Sequence, residues 1–343
     1  MTISTLFSST FNRWTGRETA PVQGESQFPD LAEAPLDTRR LIRNRRYCQV
    51  LAKRSELEFD NVSQQCARSV LEHEMALVPR GTVRLMHDEV FEQDRRYGIS
   101  QSVEYPVEVD SFFLDRLCVT NADYLKFVQG GGYALPQLWP EETLPWVLLF
   151  VDRTGTMGPK FWTDGKPPSD KLDHPVVGIC WYEASAYARW AGKRLPTSAE
   201  WQRAGTWPKG SGVGSEQRYP WGNSFEQSRA NLWKHTACDT IPVDALPKGS
   251  TPNGVRQLIG NVWEWVDAQF CPAHEGEVKV LLEEAMAEVR GGAFDTYFAS
   301  QATCQFRTGY PVLHRSANVG FRCCASLEDL HSPIKIDAEE EIL

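Results

Sequence analysis

The stretch Gly260-Asn261-Val262-Trp263-Glu264-Trp265-Val266, called here the tryptophan stretch, decides the fold of this chain. The pattern predicts an apolar strand that carries two tryptophans and follows a glycine turn. One carboxylate, Glu264, stands between the two indoles. Because an unpaired buried carboxylate is costly, Glu264 must form an ion pair or bind a cation. The stretch therefore predicts a compact, loop-rich domain that tryptophans hold together around a buried ionic group.

Four further motifs accompany the tryptophan stretch. They are Lys193–Trp201, Tyr219–Asn223, Val289–Phe294 and Val319–Cys323. In this order, the five motifs resemble the formylglycine-generating enzyme family, also called sulfatase-modifying factors, over about Glu74 to Cys324. His174, which precedes a proline, is a further signature of that family. The resemblance implies an α+β fold of the C-type-lectin-like, formylglycine-generating-enzyme type with little regular secondary structure, although a fold alone does not settle a function.

Length and composition are typical of a globular protein without a membrane span. The chain has 343 residues, of which 41% are hydrophobic and 24% charged, and its net charge is −9. An acidic chain is not expected to bind nucleic acid non-specifically. The chain has no apolar run of about 18 residues, the length that a membrane helix needs. Its start, Met1 to Glu18, lacks the basic and apolar regions of a secretory signal, so we predict a cytoplasmic protein.

The nine cysteines also favour a reducing compartment. They are odd in number and show no CxxC spacing, so the simplest interpretation is that they are buried as small apolar residues. In secretory members of the family, the resemblance implies cysteines at the positions of Ala188 and Ala204, paired with those that match Cys304 and Cys323. This chain keeps only one member of each pair. The resemblance therefore implies that neither disulfide forms, as expected in the cytoplasm.

Composition divides the chain into four segments. They are a flexible N-terminal arm (1–35), a helical extension (36–73), the main domain (74–325) and an acidic tail (326–343). The helix predicted over 37–54 is strongly basic; it suits an acidic partner or nucleic acid, but we favour a solvated face paired with acidic patches. In ergothioneine-type iron enzymes, a similar lectin-like domain follows a longer helical domain with an iron-binding histidine motif. The helical extension of this chain contains only one histidine, His73, so the resemblance implies no iron site.

Capping residues predict where several helices begin. The expected N-caps are Asp37, Thr120 and Thr197. Further short helices are predicted over Glu141–Phe150 and Lys279–Glu288. Trp233 is expected to pack inward like the other tryptophans. The Pro- and Trp-rich stretch 134–172 is expected to form a long surface loop, a kind of segment that is commonly functional.

The copper chemistry of the family lacks its ligands in this chain. The resemblance implies that family enzymes oxidise a substrate cysteine with copper held by two thiolates, which lie five residues apart shortly after a glycine pair. Here the pair is Gly291-Gly292, and the matching positions are Thr296 and Gln301. Because Cu(I) suits soft thiolates and neither residue is one, copper binding and formylglycine formation are not expected. The alternative thiolate pair would combine Cys304 with Cys323 or Cys324.

The family also binds calcium, a hard cation that prefers oxygen ligands. By position, the resemblance implies one structural calcium site at the tryptophan stretch. Its ligands would be Gln257, the carbonyls of Gly260 and Val262, and the carboxylate of Glu264. Part of a second site would be Asn231 and the Leu232 carbonyl, with Asp239 as a loose candidate. The alternative for Glu264 is a salt bridge to Arg322 or Arg290.

Residues 293–318 correspond to the ligand-facing surface of the family. They are rich in Tyr, Phe, Ser and Thr, as recognition surfaces often are. The expected ligand-binding residues are Trp263, Phe294, Thr296, Tyr297, Gln301, Tyr310 and His314. The segment resembles the hypervariable region of diversity-generating-retroelement proteins, which share this fold. The alternative interpretation is a set of ordinary loops that cover the core.

The sequence leaves three hypotheses for the function open. The first is a non-copper, lectin-like binding or accessory module, a pseudoenzyme with a protein or small-molecule ligand. The second is a metal-dependent oxidase or other small-molecule-modifying enzyme without the thiolate pair. Its candidate groups are His174, His314, Tyr297 and Glu264. The third is a diversified, receptor-like variable protein.

Overall fold

The computed structural model describes residues 34–54, 57–93, 96–207, 216–233, 238–270 and 284–331. The α-helices are α1 (Leu36–Arg43), α2 (Tyr47–Leu51), α3 (Asn61–Glu74), α4 (Asn121–Gln129), α5 (Leu144–Val147), α6 (Trp181–Trp190) and α7 (Ser198–Thr206). The strands are β1 (Met75–Val78), β2 (Gly81–Gln93), β3 (Arg96–Val109), β4 (Phe112–Asp115), β5 (Trp263–Gln269), β6 (Met286–Arg290), β7 (Arg307–Pro311), β8 (Val319–Gly320) and β9 (Cys324–Ser326). The predicted arm up to residue 33 and the predicted tail beyond residue 331 lie outside the described residues.

The helical extension comprises α1, α2 and α3, and α3 runs directly into β1. Asp60 caps α3 by accepting a hydrogen bond from the Ser63 N–H at 2.7 Å. The expected cap at Asp37 is wrong, because α1 begins after Pro35 without a side-chain cap and Asp37 lies in its first turn. The three helices bury a small core of their own against the main domain. Its members include Tyr47, Leu51, Leu71, Phe113 and Leu330.

Two basic residues just after α1 pack against the main domain. Arg45 forms ion pairs with Glu74 and with Asp123, the latter at 3.2 Å. The guanidinium of Arg46 lies 5.0 Å from the centroid of the Trp190 ring. At Arg45, the pairing of basic residues with acidic groups of the body is therefore as predicted.

The tryptophan stretch supplies an inner strand of the four-stranded sheet, whose order is β7-β6-β5-β8. Strand β5 pairs antiparallel with β6, with Glu264 opposite Arg290, and parallel with β8, with Glu264 opposite Gly320. The turn before β5 has left-handed backbone at Gly260, with φ +83°. A Cβ on Gly260 would come within 2.6 Å of the Asn231 carbonyl oxygen. This position therefore needs glycine for both conformation and space.

Two smaller sheets complete the strand pairing. One has the order β1-β4-β9, and the other is the β2-β3 hairpin. The hairpin has a register shift between Glu89 and Val90, which marks a β-bulge. Because β9 follows the Gly-Phe-Arg motif directly, the β1-β4-β9 sheet joins the end of the main domain to the helical extension.

An aromatic core lies between α4, α6 and the chain after β8. Tyr124 and Tyr187 stack with ring centroids 5.4 Å apart, and Phe321 meets Tyr187 edge-on at the same distance. Phe127 and Trp190 extend the cluster, with centroids 5.6 Å apart. Such pairs contribute about 1 kcal/mol each beyond the area they bury. Aromatic contacts, rather than long helices, therefore hold the helical side of the domain in place.

The predicted N-caps of the main domain are confirmed. The Thr120 hydroxyl accepts from the Asp123 N–H at 3.0 Å at the start of α4. Thr197 and Glu200 form the reciprocal capping box of α7. Gly192, with φ +72°, follows α6 and supplies the left-handed backbone that commonly ends a helix.

Two predicted helices differ in the structure. Glu141–Thr143 is a 3₁₀ turn, and α5 after it ends at Val147, so the predicted helix over Glu141–Phe150 is shorter and split. The predicted helix Lys279–Glu288 is wrong where it is described, because Met286–Arg290 is strand β6. Pairing with β5 and β7 overrides the local acidic pattern at this point.

Cys304 and Cys323 are free, fully buried thiols. Ala188 and Ala204, the two positions where the resemblance implies partner cysteines in secretory family members, are buried in the core. Among the described helices, none combines the length and the apolar character that crossing a bilayer requires.

Candidate functional site

Glu264 is fully buried and paired with Arg322. Its Oε1 accepts from Arg322 Nη2 at 2.7 Å, and its Oε2 accepts from Arg322 Nε at 2.7 Å. Oε2 also accepts from the Trp201 indole N–H at 2.8 Å, and the Cys118 thiol donates to Oε1 at 3.3 Å. Burial, together with the charge of Glu264, raises the pKa of Cys118 well above its ordinary value, so this thiol stays a donor. The salt-bridge alternative therefore describes Glu264.

Arg322 uses its remaining donors on backbone carbonyls. Nη1 donates to Asp115 O at 3.1 Å and to Arg116 O at 3.2 Å, and Nη2 donates to Arg256 O at 2.8 Å. Burial alone would lower the pKa of Arg322, but Glu264 holds it above its ordinary value. The guanidinium is therefore charged, and it ties the chain at 115–116 and at 256 to the tryptophan stretch.

Arg290, the other partner considered for Glu264, belongs to a second buried ion pair. Its Nε lies 2.7 Å from Glu288 Oε1. Glu288 also accepts from the Ser198 hydroxyl at 2.5 Å and lies 3.3 Å from Arg307 Nη1. The sheet therefore carries two buried ion pairs with separate partners.

At the first predicted calcium site, the predicted ligand oxygens of Glu264, Gln257 and Gly260 already accept hydrogen bonds within the protein. Both oxygens of Glu264 face Arg322, whose charge would repel a cation. The Gln257 Oε1 accepts from Asn261 Nδ2 at 2.7 Å, and the Gly260 carbonyl accepts from Val262 N at 3.0 Å. Within the described ranges, no group of three or more His, Cys, Asp or Glu side chains comes together to hold a metal. These residues therefore do not fit calcium well.

The second predicted calcium site offers one buried oxygen without a hydrogen-bond partner, while its loose candidate Asp239 is paired with Lys171 at 2.5 Å. Asn231 is buried, and its Oδ1 has no hydrogen-bond partner. Its Nδ2 donates to Asp239 O at 2.9 Å and to Asn261 Oδ1 at 3.1 Å, which fixes the amide. An orphaned buried oxygen calls for a ligand, and an amide oxygen is a donor that calcium accepts. Asn231 and the adjacent Leu232 carbonyl are the residues that would hold the ion.

The two positions that match the copper ligands of the family, Thr296 and Gln301, carry a hydroxyl and an amide in place of sulfur. The Thr296 side chain is 6% exposed, and its hydroxyl accepts from the Ala293 N–H at 2.8 Å. Trp263, expected to line this pocket, is buried with its ring 6.0 Å from that of Phe306. The second position, Gln301, is half-buried.

The alternative thiolate pair is enclosed in the core. Its members, Cys304, Cys323 and Cys324, are all fully buried. Cys304 and Cys324 belong to one core cluster and Cys323 to the other. Burial raises the pKa of each of the three thiols above its ordinary value.

Three aromatic side chains form an exposed surface beside Thr296, called here the aromatic patch. Trp233, Tyr297 and Phe298 are 51%, 64% and 60% exposed. Ring centroids are 6.2 Å apart between Trp233 and Tyr297 and 5.1 Å apart between Tyr297 and Phe298. The expectation that Trp233 packs inward is wrong. Its neighbours Asn231 and Leu232 are both buried, and the chain turns at Trp233, which leaves this side chain in solvent.

The remaining predicted ligand residues form a second group. Tyr310 and His314 stack with centroids 5.1 Å apart and planes at 5°. Tyr310 is hydrogen-bonded to Asn318, whose Nδ2 donates to Asp295 at 2.9 Å. Asp295 follows Phe294, which is half-buried. Asn318 thus links Tyr310 to Asp295, in the chain segment that continues to Tyr297 and Phe298.

His174 contacts Thr240 and not the residues predicted to bind a ligand. Its Nδ1 is 2.9 Å from the Thr240 hydroxyl. Partial burial and the charge of Lys171 lower its pKa below the ordinary value, so the imidazole is neutral at pH 7. His174 thus serves the loop that carries Thr240, whereas His314 faces an open cleft beside Lys160.

Replacing Glu264 by Gln is expected to lower the free energy of unfolding by about 3–5 kcal/mol, because Arg322 would keep a buried charge without a counter-ion. Urea denaturation followed by tryptophan fluorescence measures the loss. Glu226→Gln is the matched control: it breaks the exposed pair with Arg229 and is expected to cost less than about 1 kcal/mol. Equal losses in the two variants would contradict a central role for the buried pair.

Calcium is expected to raise the melting temperature through Asn231. At a calcium concentration about 100 times the dissociation constant, a site present only in the folded state adds about 2.7 kcal/mol. Differential scanning calorimetry with calcium and with EDTA measures the shift, which Asn231→Leu should abolish. Gln257→Met is the matched variant for the first site. If that variant alone lost the response, the ion would lie at the tryptophan stretch instead.

Comparison with known proteins places these features in one family. The profile described as "Sulfatase-modifying factor enzyme 1-like domain" matches residues 58–327. The hercynine oxygenase of Mycobacterium tuberculosis is 34% identical over 197 residues, which cover 55% of this chain and 44% of that protein. The chain thus spans less than half of the hercynine oxygenases that it matches.

Two further similarities belong to the comparison. The inactive C-alpha-formylglycine-generating enzyme 2 of Bos taurus is 31% identical over 251 residues, or 64% of this chain and 78% of that protein. The solved structure of PvdO from Pseudomonas aeruginosa has a TM-score of 0.48 at 18% identity and covers 74% of this chain and 94% of its own. This chain belongs to the formylglycine-generating enzyme, or sulfatase-modifying factor, family and has its C-type-lectin-like α+β fold.

Proposed function

We propose that this chain is a copper-independent member of its family that binds a ligand and does not generate formylglycine. The observation that carries the proposal is the environment of Thr296. This residue stands at the first thiolate position, is almost fully buried, and has its hydroxyl engaged by the Ala293 N–H at 2.8 Å. Cu(I), a soft metal, would therefore have no sulfur ligand at residue 296.

The nearby thiols support the same conclusion. Cys304 is the cysteine that follows the two positions most closely in sequence, and it is fully buried. Because burial raises its pKa above the ordinary value, it stays a neutral thiol, whereas a copper ligand must be a thiolate. The similarity to a relative that is itself named inactive points in the same direction.

The aromatic patch supplies the binding surface that a lectin-like module needs. Trp233, Tyr297 and Phe298 leave more than half of their surfaces in solvent. Contiguous exposed apolar groups of this kind mark interaction sites. The flat rings suit an apolar or ring-shaped face of a protein or a small molecule. We place the ligand on the surface that runs from this patch to Tyr310 and His314.

We further propose a cytoplasmic location. Cys304 and Cys323 are free, and the residues at their family partner positions are Ala188 and Ala204. Without those disulfides the domain depends on its ion pairs and aromatic packing, which a reducing compartment leaves intact.

Purified protein incubated with Cu(I), oxygen, a reducing thiol and a cysteine-containing peptide is expected to leave that cysteine unchanged. Mass spectrometry of the peptide, with aldehyde-reactive labelling, measures the outcome. A copper-loaded formylglycine-generating enzyme serves as the positive control in the same mixture. Conversion of the peptide by this chain at a rate near that of the control would overturn the proposal.

A second candidate function is a metal-dependent oxidase that acts on a small molecule. The similarity to hercynine oxygenases favours it, although the chain spans less than half of those proteins. His314 adds a chemical argument: partial burial and Lys160 lower its pKa, so it is a neutral imidazole, the form that ligates metals. Such an oxidase would need a ligand set that the described residues do not bring together.

Metal content separates the two candidates. Protein produced in cells supplied with iron and copper is expected to contain neither metal in stoichiometric amount after purification without chelators. Inductively coupled plasma mass spectrometry measures this directly. One iron or copper per chain, lost in His314→Ala or in His174→Ala, would favour the oxidase over the binding module.

A further inference from the structure

We propose that the cleft between residues 151–161 and residues 313–315, called here the cationic cleft, binds the carboxylate or phosphate group of a small molecule. The cleft has a volume of about 630 Å³ and opens to solvent. Clefts of this size are typical of small-molecule sites. The inference rests on the proposed binding function and deepens it by naming the chemical class of the ligand.

Two cations in the cleft have no carboxylate partner. The guanidinium of Arg153 lies 5.9 Å from the centroid of the Phe161 ring, and the ammonium of Lys160 lies 5.8 Å from the same centroid. Both residues are exposed. In the part of the chain that the structure describes, neither forms an ion pair within 4.0 Å. The shared ring therefore holds two like charges close together without neutralising them.

The other charges of the cleft are engaged elsewhere. Asp152 is buried, and its carboxylate accepts from the Thr154 N–H and the Gly165 N–H, each at 2.8 Å. Burial alone would raise the pKa of Asp152, but these donors hold it below its ordinary value. Arg315 pairs with the fully buried Glu183 at 2.8 Å. The positive charge available to a ligand is therefore that of the two exposed cations.

His314 completes the polar lining. Its ring is held by stacking on Tyr310, with centroids 5.1 Å apart. Partial burial and the nearby charge of Lys160 lower the pKa of His314. At pH 7 the neutral ring offers one N–H donor, and an anion bound next to Lys160 would meet that donor as well.

The walls of the cleft are fixed by backbone contacts. Gly178 has φ +74°, and a Cβ there would come within 2.6 Å of the Phe161 ring, so glycine lets the ring lie against the chain. The Gly178 carbonyl accepts from Lys160 N at 2.8 Å, and its N–H donates to Ser316 O at 2.7 Å. One residue thus joins both walls. A site already in place saves the ordering cost that binding would otherwise carry.

The lining points to a small organic anion rather than to a polyanion. Val151, Phe161 and Leu313 bring apolar surface next to the cations, which suits a ligand with an apolar body and one charged group. The fork of Arg153 matches the geometry of carboxylates and phosphates. A nucleic acid would meet the net charge of −9 outside the cleft.

Isothermal titration calorimetry at low ionic strength tests the site with inorganic phosphate and with succinate as separate probes. We expect saturable binding of at least one probe to the full chain. Phosphate alone would indicate a phosphorylated ligand, and succinate alone a carboxylate. Arg153→Gln and Lys160→Gln should each weaken that binding about tenfold, as the loss of a charge-assisted hydrogen bond does. Lys248→Gln, at an exposed lysine away from the cleft, is the matched control and should bind like the wild type.

Carbon–proton NMR of the imidazoles locates the probe. The His314 signals are assigned as those that disappear in His314→Asn. In the wild type, the chemical shifts of these signals should change as the probe is added. Failure of both probes to saturate, or an equal loss in Lys248→Gln, would overturn the inference. Either result would leave the copper assay unaffected, so the failure of this inference and the failure of the proposed function can be told apart.

Discussion

The buried pair of Glu264 and Arg322 is the interaction on which the rest of this structure depends. Two short hydrogen bonds join the two side chains, and the indole of Trp201 closes the remaining side of the carboxylate. Arg322 also donates to carbonyls from the loops at 115–116 and 256. Charges buried at this depth are tolerated only when every donor and acceptor is satisfied. The pair therefore fixes how the chain at 115–116, Trp201 and Arg322 meet the central strand.

Because the centre is occupied by this internal pair, the groups available to a ligand lie on loops around it. The aromatic patch and the cationic cleft are both built on irregular chain, as binding residues often are on rigid scaffolds. Side-chain contacts run from His314 through Tyr310 and Asn318 to Asp295, in the chain segment that continues to Tyr297 and Phe298.

The family assignment and the proposed loss of the copper chemistry rest on different residues of this chain. The capping box at Thr197, the Gly260 turn and the Gly-Phe-Arg motif each have a physical role that is visible in the structure. At the first position where the resemblance implies a thiolate, by contrast, the Thr296 hydroxyl accepts a hydrogen bond from the Ala293 N–H. A shared fold therefore supports assignment to the family without supporting its copper reaction.

The sequence by itself determined the fold class, the caps of α4 and α7, the absence of sulfur at residues 296 and 301, and the need for a partner at Glu264. Each follows from local pattern or from the cost of a buried charge. Only the tertiary structure decided that Arg322 is that partner, that residues 286–290 form a strand, that Trp233 faces solvent, and that Arg153, Lys160 and His314 share a cleft. These features depend on contacts between residues far apart in the chain, which local pattern does not specify.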